Sequence, residues 1–239
     1  MITFREITKA YKEGVKAVDG LCLELKEGEI FGFLGPNGAG KSTTIKMLVG
    51  ILPPTSGEIL YNGKDIRKDP VAFKRILSYV PDEPKFYQKL TGYEYLNFIA
   101  DIFGVSETDR KAVITKYAEL FGLKDALYDQ VSSYSHGMGQ KLSLMAALIH
   151  KPEVIVLDEP MVGLDPKASR EVKDIMRELA DNGSIVFFST HVLEVAANVC
   201  DRVGIINKGH LIAEGRVDEL LHDGSATLED FFLDVTEEA

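Results

Sequence analysis

The chain has 239 residues, 45% of them apolar and 27% charged, with a formal net charge of −10. That is enough apolar material for one large domain or two small lobes, and it argues against wholesale disorder. The acidity disfavours a general nucleic-acid binder, which needs clustered Lys and Arg to neutralise phosphates. Cys22 and Cys200 form no CxxC pair. They point to neither a disulfide scaffold nor a zinc site, and are expected as reduced, buried thiols of a cytosolic protein. The opening stretch alternates apolar and charged residues, so no signal peptide is expected, and no uncharged apolar run of about 18 residues occurs. Action at a membrane would then proceed by docking onto another chain.

In chain order, Ile2 to Lys9 is rich in β-branched residues and predicts a strand, with a turn near Glu13-Gly14. Leu21 to Leu25 alternates and predicts a second strand. Ile30 to Leu34 is a continuous apolar run, as expected of a strand buried on both faces. A glycine-rich loop comes next, then a helix from about Lys41 to Gly50. Glu58 to Tyr61 and a short strand after Asn62-Gly63 predict a hairpin. Ile76 to Val80 predicts a strand stopped by Pro81.

From about residue 84 to 149 the pattern turns helical, over Tyr93 to Phe103, Arg110 to Phe121, and a third helix capped by Ser135. The β/α alternation then resumes: strand Val154–Leu157, helix Lys167–Ala180, strand Ser184–Ser189, helix Val192–Val199 and strand Val203–Ile206. Alternation of this kind predicts a parallel sheet covered on both faces. After Arg216 one or two short helices are expected, and Thr236 to Ala239 is expected to fray.

Gly35-Pro36-Asn37-Gly38-Ala39-Gly40-Lys41-Ser42 fits G-x-x-x-x-G-K-[ST]. The glycines let the backbone curl round a phosphate and aim its N–H groups inward, while the adjoining helix N-terminus adds partial positive charge. Lys41 should reach the β- and γ-phosphates, Ser42 should ligate Mg²⁺, and Thr43 should bond a phosphate oxygen. The motif lies between a buried strand and a helix, where phosphate binding requires it. The apolar strand before Asp158-Glu159 puts two carboxylates at the ligand-binding end of a parallel sheet. Asp158 is placed to hold Mg²⁺, and Glu159 to orient or deprotonate the attacking water.

With these marks in place, the chain resembles the ATP-binding subunits of ABC transporters, from about Ile2 to Val217. Tyr134-Ser135-His136-Gly137-Met138-Gly139-Gln140 is similar to the family's signature motif. Gly163-Leu164-Asp165 is similar to its D-loop, His191 to its switch histidine, and Tyr11 to the aromatic that stacks on adenine. The resemblance implies an α/β fold: a P-loop, RecA-like parallel sheet core with an N-terminal antiparallel β-subdomain and a helical insert. It implies a domain over residues 1–217, with the insert at about 84–149 and a helical tail over 218–239.

By the same resemblance, two subunits sandwich two ATP molecules and Mg²⁺. Ser135 and Gly137 of one would touch the γ-phosphate held by Lys41 of the other, and Asp165 would link the two sites. Catalysis would rest on Glu159, His191 and Lys41. The implied partners are a separate transmembrane permease and a second ATP-binding subunit, identical or homologous, with no nucleic acid and no soluble substrate pocket. The place would be the cytoplasmic face of the membrane, and export is favoured over uptake. A soluble mechanical ATPase of the same superfamily and a P-loop kinase are the alternatives. The first would carry a coiled coil or a second domain, and the second would lack the signature and the switch histidine.

The chain departs from the family twice. Asp82 stands where a glutamine is usual and could contact Mg²⁺ or its water, but offers no amide donor. His136 and Met138 replace the usual Gly and Gln of the signature. Phe86, Tyr87, Tyr93 and Tyr95 would either line a docking groove or belong to the core. His136, His150, His210 and His222 share no metal-ligand spacing and are expected at the surface or in packing.

Overall fold

A computed structural model describes residues 1–11, 14–220 and 227–237. Glu13 of the expected turn, His222 and the terminal Glu238-Ala239 lie outside the described residues.

Alternation builds the first sheet. In β1 (Ile2–Ala10) and β2 (Lys16–Leu25), Ile2, Phe4, Val18, Leu21, Leu23 and Leu25 are buried. The strands pair antiparallel, Ile2 opposite Leu25. β4 (Ser56–Tyr61) and β5 (Lys64–Asp65) complete the order β2-β1-β4-β5. Their turn places Asn62 and Gly63 at φ 47° and 77°, the left-handed pair that a two-residue hairpin needs. Cys22 is exposed, against the expectation of burial, because it falls between the inward-facing Leu21 and Leu23.

The second sheet comprises β3 (Ile30–Leu34), β6 (Leu77–Val80), β7 (Val154–Asp158), β8 (Ile185–Thr190), β9 (Arg202–Asn207) and β10 (His210–Arg216). Its order is β10-β9-β3-β8-β7-β6. Pairing is parallel throughout except at β10, an antiparallel edge strand that the sequence pattern does not announce. Every residue of β3, β7 and β8 is buried, as helices on both faces require.

The helices are α1 (Lys41–Leu48), α2 (Pro70–Ile76), α3 (Gly92–Ile102), α4 (Glu107–Leu120), α5 (His136–Leu148), α6 (Pro166–Asp181), α7 (Leu193–Val199), α8 (Val217–Leu220) and α9 (Leu228–Glu237). α2 is likewise absent from the sequence expectations, although Asp69 caps it and Pro70 opens it, the usual start signals. α3 begins with a capping box in which Thr91 and Glu94 satisfy each other's backbone N–H groups. α3 to α5 leave the sheet between β6 and β7 and share a core of Leu96, Ala100, Ile114 and Leu142. α9 packs its buried Leu228 with Ala196 and Val203. The expected fraying does not begin at Thr236: its hydroxyl donates to the Phe232 carbonyl at 2.7 Å and α9 runs on to Glu237. Among the described residues no helix is long and apolar enough to cross a membrane.

Candidate nucleotide site

The loop between β3 and α1 is shaped by its glycines. A Cβ on Gly35 would strike the Ile206 carbonyl oxygen, and one on Gly40, at φ 116°, would lie 2.5 Å from the Ala17 carbonyl oxygen. Lys41 is only 7% exposed, and its ammonium donates to the Gly35 carbonyl at 2.5 Å and the Pro36 carbonyl at 3.2 Å. Burial holds its pKa below the ordinary lysine value, against the opposing pull of Glu159 and Asp158. Pro36, Asn37, Gly38, Gly40, Lys41, Ser42 and Thr43 line a cleft of about 220 Å³ together with Ala17, Asp82, Asp158 and Glu159. Ala39 is buried behind the loop, its N–H donating to the Pro36 carbonyl at 3.2 Å.

Asp158 ends β7 and is 5% exposed; the Ser189 hydroxyl of β8 donates to its Oδ1 at 2.5 Å. Glu159 comes next at φ 50°, a left-handed conformation that costs a non-glycine residue roughly 1 kcal/mol. Its N–H donates to the Ser189 carbonyl at 3.1 Å, which fixes the turn out of the strand. Its carboxylate accepts from the Thr190 hydroxyl at 3.2 Å and lies 2.8 Å from His191 Nδ1. An ionised carboxylate only accepts, so Nδ1 carries the proton and Nε2 points away from this pair. Tyr79 of β6 has its phenol pKa pushed up to about 12, first by burial and then by the charges of Asp158 and Asp82. Asp82 itself is exposed on the loop after β6 and makes no hydrogen bond or ion pair with the described residues.

The remaining sequence candidates lie elsewhere on the chain. Ser135 caps α5, accepting from the Met138 N–H at 3.3 Å. A Cβ on Gly137 would approach the Gly163 carbonyl oxygen to 2.8 Å, and one on Gly163 would strike the His136 ring. Asp165 caps α6, accepting from the Ala168 N–H at 2.8 Å, and pairs with Lys141 of α5 at 2.9 Å. Those contacts, the Ala168 hydrogen bond foremost, hold the Asp165 carboxyl below the usual range. Ser135, Gly137 and Asp165 thus form one surface unit that does not line the Lys41 cleft of the same chain. Tyr11 also stands off the cleft, 49% exposed at the end of β1, with Lys9 Nζ 5.8 Å from its ring centroid.

Sequence reasoning missed Ala17, Ser189, Thr190 and Lys141 as shaping residues. Ser189 and Thr190 carried a signal, as hydroxyls at the end of a buried strand beside His191. Ala17 and Lys141 carried none, because their contacts depend on tertiary approach. The aromatics divide. Phe86 meets Tyr95 edge-on at 5.0 Å against the core, whereas Tyr87 and Tyr93 are exposed and pair with the exposed Phe98 and Tyr128. His150 packs against Phe103, its ring centroid 3.6 Å away. His136 and His210 are exposed.

The family described as ABC transporter matches residues 18–162 of this chain. The linearmycin resistance ATP-binding protein LnrL of Bacillus subtilis strain 168 is 38% identical over 221 residues, 92% of this chain and 70% of that protein. The bacitracin transport ATP-binding protein BcrA of Bacillus licheniformis is 39% identical over 221 residues, 92% of this chain and 71% of that one. A solved structure of the ATP binding subunit of an ABC transporter superposes with a TM-score of 0.94 at 30% identity, covering 99% of both chains. A dimeric ATP-binding cassette with ADP and phosphate shares the fold, with a TM-score of 0.83 at 23% identity over 91% of this chain and 99% of that chain. The chain belongs to the ABC transporter family, as a subunit that binds and hydrolyses ATP.

Proposed function

We propose that this chain powers export through a separate transmembrane permease by closing with a second ATP-binding subunit, identical or homologous, around two ATP molecules. The observation that carries the reading is the separation of Ser135-Gly137 from the Lys41 cleft of its own chain. Free N–H groups at the start of α5 form an anion-binding end, and a second subunit can lay its nucleotide against them. The sandwich has two-fold symmetry, so each chain supplies one half of each site.

Within that sandwich Lys41 holds the β- and γ-phosphates, Thr43 a phosphate oxygen, and Tyr11 stacks on the base. Glu159 orients the attacking water and takes its proton. His191, held by Glu159 through Nδ1, donates from Nε2–H to the γ-phosphate when both ring nitrogens carry protons. Asp165 links the two sites through the unit it forms with Lys141 and Gly163.

The donor set suits Mg²⁺. Ser42, Asp158 and Asp82 are hard oxygen donors on one cleft. Mg²⁺ prefers one or two carboxylates, retained waters and nucleotide phosphates over a dedicated protein cage. In keeping with that, the described residues hold no cluster of three or more His, Cys, Asp or Glu able to bind a metal by itself. When bound, the ion neutralises charge on the phosphates.

Residues 1–217 form the working domain, the insert at about 84–149 carries closure to the permease, and 218–239 form a tail. The place of action is the cytoplasmic face of the membrane, reached through the permease. Cargo crosses within the permease, so no substrate pocket is needed here. The names of the relatives, resistance to linearmycin and bacitracin transport, support export of an antibiotic-like compound. Purification of the tagged chain from membranes in mild detergent tests the reading. A multi-span membrane protein should co-purify, and recovery only from the soluble fraction would contradict it.

A further inference from the structure

Asp82 lines the same cleft as Lys41, Ser42, Asp158 and Glu159. Three carboxylates therefore line the cleft, of which Glu159 and Asp158 act on the Lys41 ammonium. Glu159 is engaged by His191 and Thr190, Asp158 accepts from Ser189, and Lys41 donates to two loop carbonyls. Asp82 makes no hydrogen bond or ion pair among the described residues, although its charge acts on the Tyr79 phenol. A phosphate oxygen and a carboxylate are both acceptors and both negative, so without a cation between them they repel. A divalent cation turns the same two groups into ligands of one ion. The effect of Asp82 on nucleotide binding thus changes sign with the cation.

We propose that Asp82 makes this site discriminate against metal-free ATP, its unpaired carboxylate weakening free-nucleotide binding and strengthening binding of the metal complex. The inference rests on the nucleotide reading and specifies which ionic form of ATP the site admits. The coupling is reciprocal: whatever factor Mg²⁺ adds to nucleotide affinity, the nucleotide adds to metal affinity.

The test is calorimetric titration of the full chain with the β,γ-imido analogue of ATP, in EDTA and in Mg²⁺, for wild type, Asp82→Asn and Asp82→Glu. Asp82→Asn should tighten binding in EDTA by about tenfold, the size of one ionic contact in a partly hydrated cleft. It should not tighten binding in Mg²⁺, so the enhancement by Mg²⁺ falls by about tenfold or more. Asp82→Glu keeps the charge and should retain the wild-type enhancement. Mn²⁺ affinity in the presence of the analogue, read by electron paramagnetic resonance, should fall in Asp82→Asn by the same factor. Equal enhancement by Mg²⁺ in wild type and Asp82→Asn would overturn the inference and leave nucleotide binding intact. A chain that binds the analogue under neither condition would overturn both. Thermal melts guard against misfolding, and the exposed, unpartnered position of Asp82 gives equal midpoints for all three proteins.

Discussion

The cleft around Lys41 and the outer face of the helical insert are built on opposite principles. In the cleft, geometry is fixed from behind by backbone. Gly35 and Gly40 abut carbonyl oxygens, Asp158 is buried at a strand end, and Glu159 is held in a left-handed turn by its N–H on the Ser189 carbonyl. On the insert, Tyr87 (63% exposed) and Tyr128 (73% exposed) stand in aromatic pairs on the surface, their rings packed against neighbouring exposed side chains. Chemistry on a transferring phosphoryl group demands preorganised positions, whereas docking to another protein needs exposed apolar area of suitable shape. On the proposed function, the difference separates a part that reacts from a part that docks. Damage to one side should therefore leave the other standing.

The largest effect belongs to the cleft. Lys41→Ala should lower ATP turnover at least about 100-fold while leaving the fold in place, because on the proposed function it removes the cation that holds the transferring phosphoryl group. Phosphate release measures the first effect and circular dichroism the second.

The insert divides into core and surface. Leu142→Ala, at a fully buried position of α5, should cost about 3 kcal/mol and lower the melting midpoint by about 6–12 °C. Tyr128→Ala should shift stability by no more than about 0.5 kcal/mol, yet weaken capture of the membrane partner. A Tyr128→Ala chain with normal partner capture would place the docking surface elsewhere.

A pH-dependent effect lies where the chain just after α5 meets β6. His150 stacks on Phe103 and sits 3.5 Å from the Ser78 hydroxyl of β6. Burial pushes its pKa down to about 4. The unfolded chain, with an ordinary histidine near 6.5, then binds more protons than the folded chain between those values. Stability should therefore fall as pH drops from about 6.5 to 4, by about 1–2 kcal/mol after allowance for partial solvent access. Urea melts at pH 7 and pH 4.5 measure it, and His150→Leu should flatten that component.

Much of the cleft was legible because its constraints are local. The run Ile30–Leu34 with the glycines after it announces a strand end and a phosphate loop. The run Val154–Leu157 before two acids announces a second strand end and its carboxylates. Cys22 could have been placed by period-two alternation with Leu21, Leu23 and Leu25, which turns it outward. α2 had its signal in Asp69-Pro70, but covers only seven residues with one buried side chain, Phe73. β10 is a half-exposed edge strand ending Glu214-Gly215-Arg216, and such composition gives a weak strand signal. The pairing of Lys141 with Asp165 joins residues 24 apart in sequence and exists only once α5 and α6 have packed. The division of the aromatics depends likewise on which face of the insert meets the sheet.

Beneath all of this stands the claim that one ATP is gripped by two chains. Sedimentation of Glu159→Gln, a variant that should bind ATP without hydrolysing it, tests this directly. With ATP and Mg²⁺ it should sediment as a dimer, and adding Ser135→Arg should return it to monomer while nucleotide affinity changes little. A monomer under all conditions, or a dimer indifferent to Ser135→Arg, would contradict the claim.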